Sequence, residues 1–169
     1  MQRLCQTRVK GLEIMRTVRC LITAIVLSIP SLAQDVAKVV YVSAKQMDID
    51  LHKLALNNIG ESEINLIERT PEHAAILLRR TLPGKAEVHE HQADVWYVID
   101  GGCDFVTGGS VIHGAPSGPG EIRGASIAGG DEHHIAKGDF IRVPAGVPHW
   151  VKKIEGKEIV YIVVKYAEK

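Results

Sequence analysis

The chain of 169 residues carries 20 Lys+Arg against 20 Asp+Glu, 46% hydrophobic and 5% aromatic residues, 16 Gly, 7 Pro and 3 Cys. That size and balance describe one globular domain with a short extension, and they exclude a collagen, a coiled coil and a disordered tail. A formal net charge of zero leaves no basic field to hold a polyphosphate backbone, so nucleic acid is not an expected partner.

Residues 1–33 hold five basic side chains (Arg3, Arg8, Lys10, Arg16, Arg19) and one acid (Glu13), which leaves 15 bases against 19 acids for the rest of the chain. Arg16 and Arg19 precede an uncharged run from Cys20 to Ile29, then Pro30 and Ser31-Leu32-Ala33, placed like a peptidase cleavage signature. This reads as an export signal cut after Ala33, with Met15 a candidate for the true start. The uncharged run falls short of the roughly 20 residues that cross a bilayer, so no stable membrane span is expected after cleavage and the mature chain is expected to be secreted or periplasmic. Cleavage removes Cys5 and Cys20 and leaves Cys103 alone, without an internal disulfide, as a small core or turn residue.

Residues 34–73 read as an N-terminal strand and helix that pack on the strand-rich remainder of the chain. Val39 to Val42 are β-branched or aromatic and predict a strand. Ser43 with Gln46 three residues on forms a capping box ahead of Met47, Leu51 and Leu54 at helical spacing. From Glu63 onward short strand-like runs take over: Ile64 to Ile67, Ala75 to Leu78, Val95 to Ile99, Phe105 to Thr107, Phe140 to Val143 and Ile159 to Val164. Twelve of the 16 glycines fall between Gly101 and Gly146, and regular turns between short strands predict an all-β barrel or sandwich with one short helix. Gly108 to Gly130, rich in Gly, Ser and Pro, is too long for an ordinary hairpin loop and is expected to be either disordered or functional, as a cover over the barrel mouth.

His89 and His91 are separated by one residue, so an extended strand would point both imidazoles to one face, as a strand presents two metal ligands. Asp94 shares parity with Trp96 and Val98 on a strand apolar on both faces, and a carboxylate buried there needs a counter-charge, hydrogen bonds or a proton. Further on, Pro144-Ala145-Gly146-Val147-Pro148 forms a stiff turn that fixes His149 at the start of a strand. His133, which shares parity with Ile135, is a candidate general acid or base, although a surface position is the commoner fate of such a histidine. His113 in the glycine-rich segment is expected in solvent. No G-x-S-x-G elbow and no phosphate loop occurs, which excludes serine hydrolases and P-loop nucleotidases.

Gly84…His89-x-His91…Asp94-x-x-Tyr97-Val98-Ile99-x-Gly101 and Gly138-x5-Pro144-x-Gly146-x2-His149 resemble the two signature motifs of the cupin superfamily. The second matches at each defining position through the histidine, with Lys153 where an asparagine is often found. The first departs from the pattern: four residues rather than five follow Gly84, and Asp94 comes two residues after His91 where the family usually has Glu after three or four. Six residues separate Asp94 from Gly101, as in the family, which keeps Asp94 in the acid's place. Being one methylene shorter than Glu, it would need the strand closer to the metal or a bridging water.

The resemblance covers roughly residues 74–165 and implies a single antiparallel β-barrel with a metal inside, held by His89, His91, Asp94 and His149. Three imidazoles and one oxygen suit Fe(II), Mn(II), Ni(II), Cu(II) or Zn(II). It implies a mononuclear metalloenzyme acting on a small polar molecule, a dioxygenase first and an isomerase or lyase next, which the leader segment would make an exported one; Trp96 by strand parity, with Tyr97 beside it, would shape the substrate pocket. The alternative is a non-catalytic barrel that captures a small ligand or a metal. The family also implies a homodimer made by pairing edge strands.

Overall fold

The computed structural model describes residues 39–56 and 59–168. The expected export signal, residues 1–33, lies outside them. Helix α1 (Ala44–Leu56) is followed by β1 (Glu61–Asn65), β2 (His73–Arg80), β3 (Ala86–His89), β4 (Gln92–Thr107), β5 (Ser110–Ile112), β6 (Ala115–Gly118), β7 (Glu121–Gly124), β8 (Ser126–Ala128), β9 (Asp131–Ala136), β10 (Phe140–Val143) and β11 (His149–Ala167). All pairings are antiparallel.

Two long strands organise the sheet. β4 and β11 pair from Gln92–Ala167 at one end to Thr107–His149 at the other, with register shifts near Val151, Glu155 and Val160 that let both strands bend. β11 continues outward through β2 to β1 and, by its first residue, through β3 to β7 and β6, while β4 takes β10 on one half and β9 on the other. The sheet thus curls around one interior. Gly101 sits at the bend of β4 with φ +70°, where a Cβ would lie 1.9 Å from the Glu158 carbonyl oxygen, so only glycine lets β11 pass.

Inward positions of β4 and β11 build the core. Trp96 stacks on Tyr161 with ring centroids 4.0 Å apart and planes 7° from parallel, and Phe105 lies 4.9 Å from Trp96. Arg80 Nε donates to the Tyr161 hydroxyl at 3.0 Å, which satisfies the polar end of a fully buried ring. Cys103 joins the same core at 0% exposure.

Helix α1 starts where the capping signal puts it: the Gln46 amide donates to Ser43 Oγ at 3.1 Å. The Gln46 side chain turns instead to Asp50 Oδ1, so the reciprocal half of the box is replaced by an i to i+4 bond. Leu54 is 2% exposed and packs with Leu77 and Val160, joined by Met47 and Leu51, on the outer face of the sheet.

One expectation is corrected, and a second, left between disorder and a functional segment, loses its first alternative. Residues 39–42 form no strand, and Val39 is 94% exposed: β-branched residues make a strand only where a neighbour supplies hydrogen bonds and a packing surface. The Gly108–Gly130 segment is a pair of nested hairpins. β5 pairs with β8, and between them β6 and β7 pair with each other, β7 joining β3 in the main sheet.

Candidate metal centre

β3 sets Glu87 and His89 on one face of an extended strand, and β11 opens with His149 directly opposite Glu87. The Gly146 amide donates to the His89 carbonyl at 2.8 Å, which ties the Pro144–Pro148 turn to β3 and sets where His149 enters. Glu87, His89 and His149 each offer a donor atom, all within 4.8 Å of one another.

His149 is 2% exposed. Its Nδ1 lies 3.2 Å from the Val147 carbonyl, an acceptor only, so Nδ1 carries the proton and Nε2 presents a lone pair. That Nε2 is buried with no hydrogen-bond partner among the described residues. Burial is the largest influence on this ring and holds its pKa below the usual value, so the imidazole is neutral and able to ligate. Glu87 Oε1 lies 3.6 Å from it. Burial works against the Glu87 charge, but His149, His89, Lys165 and Arg123 together outweigh it and hold the carboxyl below its ordinary range.

His89 is oriented from its far side. Its Nδ1 lies 2.7 Å from Glu121 Oε2, on the residue that β7 places opposite it, so Nε2 is turned inward. A carboxylate behind a ligating imidazole is the arrangement that fixes tautomer and raises basicity in metal sites. Asp94, 2% exposed, has Oδ2 at 3.6 Å from His89 Nε2 and 3.7 Å from His149 Nε2. Lys165, its partner across β11, donates Nζ to both Asp94 oxygens at 2.8 and 2.9 Å and to His89 Nε2 at 2.7 Å. Burial opposes the Asp94 charge, and Lys165 first, then the two histidines, overcome it and lower its pKa. Trp96 Nε1 donates to Asp94 Oδ2 at 3.3 Å.

The cluster opens into a cavity of about 410 Å³ lined by His89, Lys165, Glu121, Arg69, Arg123 and Ser117, among others. Two half-exposed guanidiniums stand at its edge, Arg69 paired with Glu63 and Arg123 with Glu87. A second cavity of about 500 Å³ lies between β9 and β10 and is lined by residues such as Phe105, His133, Ile141 and Val143; it reaches none of the donor residues.

The structure brings together His89, Asp94 and His149 of the residues singled out in sequence, and leaves His91 out. β3 ends at His89, the chain bends at Glu90 and His91, and His91 is exposed beside Gly120. The alternation that would pair two histidines stops one residue too soon. Counted backward from His89 the same parity reaches Glu87, and four residues separate His89 from Asp94, a spacing the resemblance allows between second histidine and acid. That spacing is the signal for Glu87 in the first histidine's place. Glu121 and Lys165 carry no local signal, since only strand pairing brings them to the site. Trp96 lies in the core, edge-on to His149 at 6.4 Å, and does not line the 410 Å³ cavity. Tyr97 points outward at 50% exposure, as alternation after Trp96 requires. His133 is exposed, 3.3 Å from Thr107 Oγ1, in the wall of the other cavity.

No protein-family model matches the chain, and no curated protein matches it. Among solved structures it is similar to the TT1209 protein of Thermus thermophilus, at 21% identity and TM-score 0.50 over 71% of this chain and 96% of that one. It is also similar to the cupin domain of Schizosaccharomyces pombe Cnp3 (11% identity, TM-score 0.48, 64% of this chain) and to a Klebsiella pneumoniae protein with a double-stranded β-helix domain (17%, TM-score 0.47, 67% of this chain and 89% of that one). The chain spans 65% of the Cnp3 domain. The fold is a curled antiparallel β-barrel with one short helix, similar to that of the Thermus thermophilus protein. Within it, Glu87, His89 and His149 form a group able to hold a metal ion. No helix among the described residues is long and apolar enough to cross a membrane.

Proposed function

We propose that this protein is an exported metal-dependent enzyme that acts on a small polar molecule at the Glu87, His89 and His149 centre. The observation that carries the reading is His149 Nε2, a neutral, buried lone pair with no partner among the described residues, within 4.8 Å of two further donors. Leaving such an atom unsatisfied costs about 1–3 kcal/mol, a cost that a coordinated cation removes.

Two imidazoles and one carboxylate make the donor set that non-haem Fe(II) oxygenases use, which favours Fe(II) and a dioxygenase over Mn(II), Ni(II), Cu(II) or Zn(II) and over an isomerase or lyase. The ion would supply Lewis acidity and open positions for substrate. The chain supplies the rest. Glu121 holds His89 in one tautomer, Trp96 holds Asp94, and the Phe105, Trp96 and Tyr161 rings keep water from the inner side of the site. Arg69 and Arg123 at the mouth offer N–H donors to the polar groups of a substrate.

Metal analysis of the purified mature protein tests the reading. Close to one transition metal per chain is expected, lost in His149→Ala and retained in His91→Ala; metal-free protein that takes up none on addition would end it. Oxygen uptake with Fe(II) against a panel of small acids and phenols then separates the dioxygenase from the other activities. N-terminal sequencing of the protein from the cell envelope, expected to begin at Gln34, tests export.

A further inference from the structure

Lys165 stands among the donors of the site. Its ammonium hydrogen-bonds both Asp94 oxygens, at 2.8 and 2.9 Å, and His89 Nε2 at 2.7 Å, so one cation engages two residues whose lone pairs a metal would need. His149 Nε2, 3.7 Å from Asp94 Oδ2, takes no hydrogen bond from the ammonium and is unpartnered among the described residues. The position is built by register, because β11 places Lys165 across from Asp94. It is also not sealed: the Lys165 side chain is 18% exposed against 2% for Asp94, and it lines the 410 Å³ cavity. A four-carbon stem with its head at a cavity wall can swing its ammonium outward.

Two cations cannot share these donors. An ammonium and a divalent ion held by the same carboxylate and imidazole would repel at close range in a site where water screens little. The geometry points to Lys165 as an internal counter-ion that a metal must displace, one that keeps the metal-free barrel folded at the expense of metal affinity and releases Asp94 as a fourth donor when it leaves. This rests on the metal reading proposed for the Glu87, His89 and His149 centre. It makes a demand that an ordinary ion pair does not: removing the lysine should weaken the metal-free fold and strengthen metal binding, two effects of opposite sign.

Calorimetric titration with Zn(II) chloride alone, on the full chain stripped with chelator, tests this in the wild type, His149→Ala, Lys165→Met and Lys165→Gln, with circular dichroism to confirm folding. Gln keeps a donor for Asp94 without the charge and serves if Met does not fold. The expected result is Zn(II) affinity at least about tenfold tighter in Lys165→Met or Lys165→Gln than in the wild type, with a lower thermal midpoint for their metal-free forms. Affinity unchanged or weaker in both neutral variants, with wild type binding and His149→Ala not binding, overturns the proposal and leaves the metal reading intact. Binding by the neutral variants but not by the wild type supports the proposal and removes the metalloenzyme reading of the native chain. Absence of binding in all four overturns both.

Discussion

At the scale of single residues, the site depends on side chains that orient others. Glu121 touches only the far side of His89, yet it decides which nitrogen faces inward. Glu121→Gln keeps the shape and loses the charge, so metal affinity is expected to fall about 10–100-fold while the thermal midpoint of the metal-free protein hardly moves; calorimetry and a melting curve check this. Tyr161 is completely buried, and burial first of all pushes its phenol above the usual value of about 10. The folded chain therefore keeps a proton that the unfolded chain releases, so this contribution to stability is full below about pH 10 and declines as pH rises beyond it. Alkaline unfolding followed at 295 nm should show Tyr161 ionising only with unfolding, and Tyr161→Phe should flatten the loss of stability above pH 10. His89 is legible in the sequence because imidazoles at strand spacing are uncommon, but its partner is not: parity counted forward runs into a bend, and only the backward count reaches Glu87. A single sequence shows alternation, and it does not show where a strand stops.

Secondary-structure elements divide between those with a local cause and those with a remote one. Helix α1 has the first kind, a serine cap and an apolar face, and both can be read directly from Ser43, Met47, Leu51 and Leu54. The Phe140–Val143 strand is also fully visible in its residues. Residues 39–42 and the 108–130 segment show the opposite case. The first has strand-forming residues and no neighbour, while the second has poor strand formers held by pairing to each other and, through β7, to β3. Gly101 is the position where an element cannot tolerate change. Gly101→Ala must leave a positive φ or push back the Glu158 carbonyl, and it should cost on the order of 2–4 kcal/mol by urea denaturation. Leu54→Ala, which removes the one helix residue that reaches the Leu77 and Val160 cluster while almost fully buried, should cost about 2–5 kcal/mol in the same measurement.

For the whole molecule, the barrel is legible as a class from short strands, clustered glycines and the two motif-like segments, and its closure is not, because pairing between residues far apart in the chain leaves no local mark. β4 and β11 are separated by more than forty residues in sequence yet run side by side along their length. The Glu87, His89 and His149 donors come from β3 and β11, so a bound ion would tie these two strands together where only one residue pair joins them. Saturating metal is therefore expected to raise the unfolding free energy by about 2.7 kcal/mol at a hundredfold excess over the dissociation constant, with no such gain in His149→Ala; thermal scans with and without metal check it.

The pairing of Lys165 with Asp94 bears on how the two longest strands find each other. A slip of one residue would set Val164 or Tyr166 against Asp94 and leave a buried carboxylate without its ammonium partner. Misaligned chains thus carry a penalty that the correct alignment escapes, so the ion pair favours the observed register. A lineage that replaced this lysine to gain a better ligand pocket would also give up its safeguard against misthreading.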